Sequence, residues 1–464
     1  MENSIFERIK KEAVEIVNLK FVDLLGRWQD FSVPVSFFTS DNFAEGTGFD
    51  GSSIKGFNEI QQSDMLLFPD LQTAFVDSFT KAKTLNLICD VREPGNGPFE
   101  FDPRQIAKRA ESYLLETCLA DKSFWGPEPE FFIFDKLTYS NKENGCSCHV
   151  DSEEAWWRSD DETVLGNTIA AKEGYFPAAP SDRFEDLRTT MTKNLERAGI
   201  AVEKHHHEVA TAGQAEIDIK YDTLLQQADN IMKFKYIVKN TARAFGKIAT
   251  FMPKPLFGDN GSGMHVHISL WKEGRPLFFK EGGYANLSEE ALWFIGGLFN
   301  HIEALMAFCA PTTNSYKRLV PGFEAPTYLA YSKRNRSVAV RVPAYHESPA
   351  SKRIEFRPPD PTANPYLAFS AILLAGLDGI KKKILPGQAV EENIFAGKVR
   401  PDIKTIPATL QEAVEGLKKD KDFLLAGDVF SENFIAKWAE LKEAETKEML
   451  ARPHPFEFFL YHNY

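Results

Sequence analysis

Hydrophobic positions recur at two spacings along the chain, and the mixture changes near residue 100. Over residues 4–17 apolar side chains fall at helical intervals with charges between them, which predicts an amphipathic helix. Residues 18–25 and 27–33 then alternate with the period of two expected of strands, joined at Gly26. Residues 85–91 predict a further strand, and 36–38 a short one. Together they predict a small N-terminal α+β unit of about a hundred residues, a usual size for one domain. The run Glu93-Pro94-Gly95-Asn96-Gly97-Pro98 is a turn-rich join. Asp102-Pro103 then supplies an N-cap and a first helical residue for a helix to about Leu119. The expected division is therefore 1–100 and 101–464.

In the larger part, strand patterns at 130–134, 205–219, 248–252, 264–270, 338–342 and 353–356 are interspersed with helical ones. The helices are expected near 184–198, 223–245, 288–308, 365–383 and 432–451. Several strands alternate polar and apolar residues, as an antiparallel sheet with one open face requires. There is no internal repeat and no low-complexity tract.

Composition narrows the class of protein. A chain of 464 residues exceeds what one core usually supports, so two domains are the default. The 38 phenylalanines point to aromatic-rich layers without naming a function. A net charge of −12 disfavours non-specific binding to nucleic acid or to an anionic membrane surface. The longest apolar run, 368–380, is too short to span a bilayer and carries Asp378. No apolar signal region opens the chain, and five cysteines, an odd number, fit a reducing compartment. A cytoplasmic protein is expected. Cys146-Ser147-Cys148-His149 has the look of a metal clip but lacks a second pair at zinc-site spacing.

The chemistry lies in short clusters. In Asn260-Gly261-Ser262-Gly263-Met264-His265-Val266-His267-Ile268-Ser269 a glycine-relaxed turn runs into a strand. His265, His267 and Ser269 would share one face, with Val266 and Ile268 behind them. Glu128 and Glu130 are two apart, so both carboxylates point to one side and repel unless a cation sits between them. Glu208 and Glu216, separated by an even number of residues, would share a face if the strand were unbroken, although Ala212-Gly213 offers a bend. Arg353, Glu355 and Arg357 repeat the theme. Of the adjacent His205, His206 and His207, not all can ligate one ion, because consecutive strand residues alternate faces.

Five strand-borne glutamates with His265 make a mainly hard-oxygen donor set, suited to Mg²⁺ or Mn²⁺ rather than zinc or copper. The excess of carboxylates points to more than one ion, an arrangement common where phosphates are gripped. The positive complement is Arg318, Arg334, Arg336, Arg341, Arg353 and Arg357, interleaved with strand-like valines. Such guanidinium groups fit carboxylate or phosphoryl recognition. No phosphate loop of the Walker type is present, so a nucleotide would be held by metals and arginines.

These motifs, in order, resemble those of bacterial type I glutamine synthetase. Asp50-Gly51-Ser52-Ser53, Pro127-Glu128-Pro129-Glu130, His207-Glu208-Val209-Ala210-Thr211-Ala212-Gly213-Gln214, the stretch from Asn260 to His267, Asn314-Ser315-Tyr316-Lys317-Arg318, Arg334-Asn335-Arg336-Ser337 and Arg353-Ile354-Glu355-Phe356-Arg357 carry the likeness. It extends over essentially the whole chain. The resemblance implies an α+β fold, with an N-terminal β-grasp domain followed by a larger domain whose antiparallel sheet is flanked by helices. It further implies a homo-dodecamer of two stacked hexamers, with active sites between neighbouring subunits.

By the same resemblance, one Mg²⁺ or Mn²⁺ ion is held by Glu130, Glu208 and Glu216 and a second by Glu128, His265 and Glu355. ATP phosphorylates the γ-carboxylate of L-glutamate, and ammonia displaces phosphate to give L-glutamine, the reaction of nitrogen assimilation. Arg336 and Arg341 are expected near the phosphates and Arg353 near the nucleotide, with Glu203, Tyr221, His267 and Ser269 also on ATP. Asn260, Gly261, Arg318 and Arg357 are expected to hold glutamate. Asp50, with Ser53 near it, would take a proton from ammonium, and Glu324 would close the site against water.

Two departures stand out. Phe395 occupies the position of a tyrosine that relatives modify by adenylylation, and it has no hydroxyl to modify. Ala350 stands where the family has an ATP-contacting lysine, with Lys352 as the alternative. Rival readings are a γ-glutamyl ligase for a polyamine or another amine, and a non-catalytic structural or regulatory relative. The latter should have lost metal ligands, yet all six positions keep competent side chains.

Overall fold

The computed structural model describes residues 2–95, 97–392, 394 and 403–464. The first helix, Glu2–Lys11, is shorter than its pattern because Ala13 adopts φ 51° and turns the chain into the first strand. Strands β1 (Ile16–Val22) and β2 (Trp28–Pro34) form the expected hairpin, with Gly26 at φ 76° in the turn. The predicted strand at 36–38 is instead a 3-10 turn, Val35–Phe37. Pro34 has no N–H to continue the ladder, and Phe38 N donates back to Val35 O.

The sequence reading missed β3 (Thr47–Asp50) and β4 (Asp64–Val76). Pro69 and a register shift between Asp70 and Phe75 interrupt the alternation of β4. With β5 (Thr84–Glu93) and β6 (Gly97–Pro98) they complete a six-stranded sheet of order β2-β1-β5-β4-β3, with β6 on β5. The β1–β5 pair is parallel, which ties the two ends of this unit together. Val17, Leu19, Leu67, Leu85 and Leu87 are all buried, in one core with Ile5 and Ile9 of the first helix.

The helix Pro103–Glu116 begins as expected, with the Asp102 carboxylate accepting from Arg104 N at 3.0 Å and from Val91 N at 2.9 Å. It leads into β7 (Lys122–Phe134), the centre of a ten-stranded sheet. An exposed hairpin follows, β8 (Lys136–Lys142) and β9 (Gly145–Asp151), which carries the Cys146-Ser147-Cys148-His149 run. The stretch expected as one strand at 205–219 is two, β10 (Val202–His207) and β11 (Gln214–Ile219), paired antiparallel. Gly213 makes the turn at φ 72°, where a Cβ would lie 2.5 Å from the Phe184 ring and 2.6 Å from Ile133 O. Glu208 and Glu216 therefore meet across a hairpin.

Short β12 (Asp222–Thr223) and β13 (Ile248–Thr250) pair with the two ends of β7, and β14 (Met264–Lys272) runs along its first half. Beyond β14, with β15 (Arg275–Pro276) at its end, the order continues β18 (Ile354–Phe356), β17 (Val340–Val342) and β16 (Tyr331–Lys333). The pairing is antiparallel as expected, except for the parallel β16–β17 pair.

Buried apolar side chains of this sheet, among them Phe131, Ile217, Val266 and Ile354, face long helices. Trp125 stacks on Phe369 of the helix Pro365–Lys382 at 5.2 Å, and Phe131 meets Phe234 of the helix Leu224–Ala244 edge-on. The pattern at 288–308 is two helices, Glu289–Asn300 and Ile302–Cys309, bent by 79° at His301. That imidazole bonds Asp378 at 2.9 Å and Asp420 at 2.7 Å. Among the described residues no single helix is long and apolar enough to cross a membrane.

Candidate active site

The register of the ten-stranded sheet turns sequence alternation into rows of side chains on its open face. His206, Glu216 and Glu130 stand opposite one another across β10, β11 and β7. Glu128 stands opposite His265 across β7 and β14, and His267, Glu355 and Arg341 form a third row across β14, β18 and β17. Antiparallel partners share a face, so the expected site residues are brought together although they are up to 227 positions apart between Glu128 and Glu355. They line one cavity of about 1100 Å³.

The cavity wall includes all six expected metal ligands, Glu128, Glu130, Glu208, Glu216, His265 and Glu355. It also includes the residues expected on ATP (Glu203, Tyr221, His267, Ser269, Arg336, Arg341, Arg353) and on glutamate (Asn260, Gly261, Arg318, Arg357). Donor atoms of Glu128, His265 and Glu355 lie within 4.8 Å of one another, as the second expected ligand set requires. In the first set, Glu208 and Glu216 gather instead with His206. The Glu130 carboxylate accepts from Gly263 N at 2.9 Å and Gln214 Nε2 at 3.2 Å. A third group joins Glu128 and Glu216 with Asp218.

His206 and Asp218 are thus site residues that the sequence reading missed, although both follow from period two: His206 is two before Glu208, and Asp218 two after Glu216. Of the three histidines only His206 faces the carboxylates. His205 bonds Thr189, and buried His207 pairs with buried Glu154 at 3.2 Å. The Cys146 run belongs to none of these donor groups.

Crowded carboxylates perturb one another. Burial and the Glu208 charge push Glu130 up to about 8, and burial with Glu128 and Asp218 pushes Glu216 well above the usual range. Burial opposes ionisation of Glu128, yet the adjoining His267 and His265 hold its carboxyl well below that range. Burial and the Arg357 charge lower His265 to about 4, leaving a neutral imidazole with a free donor pair. Against its own burial, Arg357 and His267 bring Glu355 down to about 2. A neutral imidazole beside the ionised Glu128 and Glu355, together with a raised Glu130 and Glu216 that a cation would deprotonate, fits hard divalent ions.

Arg318, Arg341, Arg353 and Arg357 are anchored rather than loose. Arg341 and Arg357 both grip Glu355, the latter at 2.5 Å. Arg353 Nε donates to His267 Nδ1 at 3.1 Å, and His267 Nε2 lies 2.9 Å from Glu128 Oε1. His267 therefore spends both ring nitrogens inside the protein. Arg318 donates to the carbonyls of Pro358, Pro359 and Arg357. Gly261 lets the chain pass beneath it, since a Cβ there would lie 2.3 Å from Pro253 O.

Glu324 sits at the rim in the left-handed region, φ 56°, with Lys172 and Lys254 over the ring of neighbouring Phe323. Ala350 and Lys352 both reach the cavity, and Lys352 Nζ donates to Ala285 O at 2.8 Å. Asp50 and Ser53 do not line it. They lie at the end of β3, where Ser52 and Ser53 hydroxyls bond an exposed Asp50 carboxylate and hold its pKa below the ordinary value. Phe395 lies outside the described residues.

Fold and site together define a two-domain α+β enzyme that handles anionic substrates on a sheet lined by carboxylates and arginines. The family model "Glutamine synthetase, catalytic domain" matches residues 100–461, and "Glutamine synthetase, beta-Grasp domain" matches 13–94. A glutamine synthetase of Frankia alni is 51% identical, with 98% of each chain covered. A protein of Cupriavidus pinatubonensis named 3-hydroxylaminophenol mutase is 50% identical, over 99% of this chain and 98% of its own. The Plasmodium falciparum glutamine synthetase structure superposes with a TM-score of 0.91 at 32% identity, covering 99% of this chain and 98% of its own.

The chain belongs to the glutamine synthetase family, with an N-terminal β-grasp domain. It is a glutamate–ammonia ligase, forming glutamine at the expense of ATP.

Proposed function

We propose that the reaction runs through γ-glutamyl phosphate on the open sheet face, within a catalytic domain spanning 101–464 that follows the 1–100 β-grasp domain. The observation that carries this reading is the meeting, in one cavity, of two carboxylate-rich donor groups with Arg336, Arg341, Arg353 and Arg357. Glu128, His265 and Glu355 would hold one Mg²⁺ or Mn²⁺ ion, and Glu208, Glu216 and Glu130 another, with His206 beside them. Bound cations of this kind supply charge neutralisation for a transferred phosphoryl group.

Around them Arg336 and Arg341 face the phosphates, and Arg353, Tyr221, Glu203, His267 and Ser269 form the nucleotide end. Arg318, Arg357, Asn260 and Gly261 orient glutamate so that its γ-carboxylate meets the phosphoryl group. Glu324 closes the rim, which protects the acyl phosphate from hydrolysis. Asp50 is the ammonium-binding carboxylate. Its exposed position outside its own chain's cavity supports delivery to a neighbouring copy, hence a closed ring of subunits and, with the family, a dodecamer. The setting is cytoplasmic.

The test is phosphate and glutamine formation from ATP, Mg²⁺ and glutamate, with and without ammonium, in the native protein and in Glu130→Ala. Ammonium-dependent product lost in the variant is expected; turnover only with a larger amine would move the protein to the amine-ligase branch. Sharing of the site is read by co-expressing Asp50→Ala with Glu355→Ala, each inactive alone. Half the sites would take their sheet face from the first variant and half of those their Asp50 from the second, so about a quarter of native activity should return. No recovery would place Asp50 in its own chain's site.

A further inference from the structure

We propose that Tyr345 is a positioning residue for phosphoryl transfer, its phenol oxygen holding the guanidinium groups of Arg336 and Arg341 side by side at the rim of the cavity. The proposal rests on the assignment of those arginines to the phosphates. Tyr345 lies on the segment that leaves β17 and lines the same cavity. Its hydroxyl accepts from Arg341 Nη2 at 2.7 Å and from Arg336 Nη2 at 3.4 Å. The Arg341 guanidinium also stands over its ring, 5.3 Å from the centroid.

The two arginines differ in how firmly they are otherwise held. Arg341 is buried and gripped on its far side by Glu355. Arg336 is exposed and, among the described residues, makes no other side-chain hydrogen bond. Two like charges repel, and a flexible arginine must be ordered before it can help a reaction. A single oxygen accepting from both offsets the repulsion and orders the free partner against the fixed one. Donors set in place before charge develops need no rearrangement as it develops, which is the source of their catalytic value.

The test is steady-state kinetics with Mg²⁺, ATP, glutamate and ammonium for the native enzyme, Tyr345→Phe, Tyr345→Ala and Arg336→Ala. Tyr345 is 64% exposed, so loss of the hydroxyl should leave the melting temperature unchanged. Tyr345→Phe is expected to lower kcat by about tenfold, less than loss of a direct donor, with the KM for ATP changed less than threefold. Tyr345→Ala should do the same, because the hydroxyl and not the ring performs the positioning. A Tyr345→Phe enzyme with native kcat, or one altered only in the KM for ATP, would overturn the proposal. If Arg336→Ala also kept native kcat, the arginine assignment itself would fail, a result distinct from failure of Tyr345 alone.

Discussion

Arg104 joins the two parts of the molecule, and its removal should be costly. Its guanidinium, 1% exposed, reaches Asp90 at 2.6 Å, Asp70 at 2.7 Å and Asp229 at 2.9 and 3.0 Å. Asp70 and Asp90 belong to the N-terminal sheet, whereas Asp229 lies on the helix Leu224–Ala244 of the catalytic part. In Arg104→Met the three carboxylates do not suffer equally. Asp70 is partly exposed and regains water, and Asp90 keeps Lys108 at 2.5 Å. Asp229 is left buried, with the Tyr366 hydroxyl at 2.6 Å and the Lys233 charge one turn along its helix. The expected loss is therefore that of one broken buried pair, about 3 to 5 kcal/mol, not three times that figure. With a urea slope of about 2–3 kcal/mol per molar, the midpoint for the transition reporting the N-terminal sheet should fall by more than about 1 M. Trp28, packed near Tyr236 of that same helix, is a suitable fluorescent reporter. Adding Asp229→Asn should restore part of the loss, since it removes the stranded charge. A midpoint shifted by less than about 0.3 M, roughly 1 kcal/mol at that slope, or a double variant weaker than the single, would refute the account.

Three further outcomes are expected. His301 is buried, which favours its neutral form, but bonds to Asp378 and Asp420 outweigh this and raise its pKa. Its contribution to stability is thus full below the unfolded value of about 6.5 and is lost as pH rises through the folded value, so the melting-temperature gap between native and His301→Gln should narrow from pH 6 to pH 9. A gap constant with pH would contradict this. Gly261→Ala should abolish glutamine formation or fold poorly, because its Cβ would meet Pro253 O at 2.3 Å; native kcat and KM for glutamate would show that the loop yields freely. Incubation with an adenylyltransferase should add no mass at Phe395, and an adduct mapped there by intact and peptide mass measurement would overturn this expectation.

The donor rows were legible because strand alternation is local and the site needs one face only. Glu128 and Glu130, or His265 and His267, declare a shared face without knowledge of what pairs with them. Pairing partners are not local, and that is where the reading thinned. His206 was passed over because three adjacent histidines cannot all ligate one ion, an argument correct for the set and silent on which member points inward. The choice was made by the β10–β11 register, which sets His206 against Glu216. Tyr345 had no pattern to mark it, because its role depends on two arginines brought near it by different segments. β4 was hidden by Pro69, and the helix at 288–308 looked continuous because a bend at His301 costs no apolar position.

The same reasoning separates what Asp50 and Glu324 share from what they do not. Neither stands in a periodic pattern, and an Asp-Gly-Ser turn is ordinary in any soluble protein. Glu324 reaches the cavity of its own chain at a strained φ of 56°, a cost that the two lysines over Phe323 help to hold in place. Asp50 points away from that cavity into solvent, yet its carboxylate is fully engaged by Ser52 and Ser53 and kept ionised. An exposed carboxylate fixed by three hydrogen bonds loses rotamer entropy, and within its own chain it gains only the cap of one 3-10 turn, Gly51–Ser53. That expense has a purpose if the rigid charge faces a neighbour's site, where a pre-set anion attracts ammonium and needs no reordering. Loss of either serine should then weaken ammonium saturation while leaving the ATP and glutamate constants unchanged. Ser52→Ala with Ser53→Ala is the direct measure, and an unaltered KM for ammonium would remove Asp50 from the proposed role.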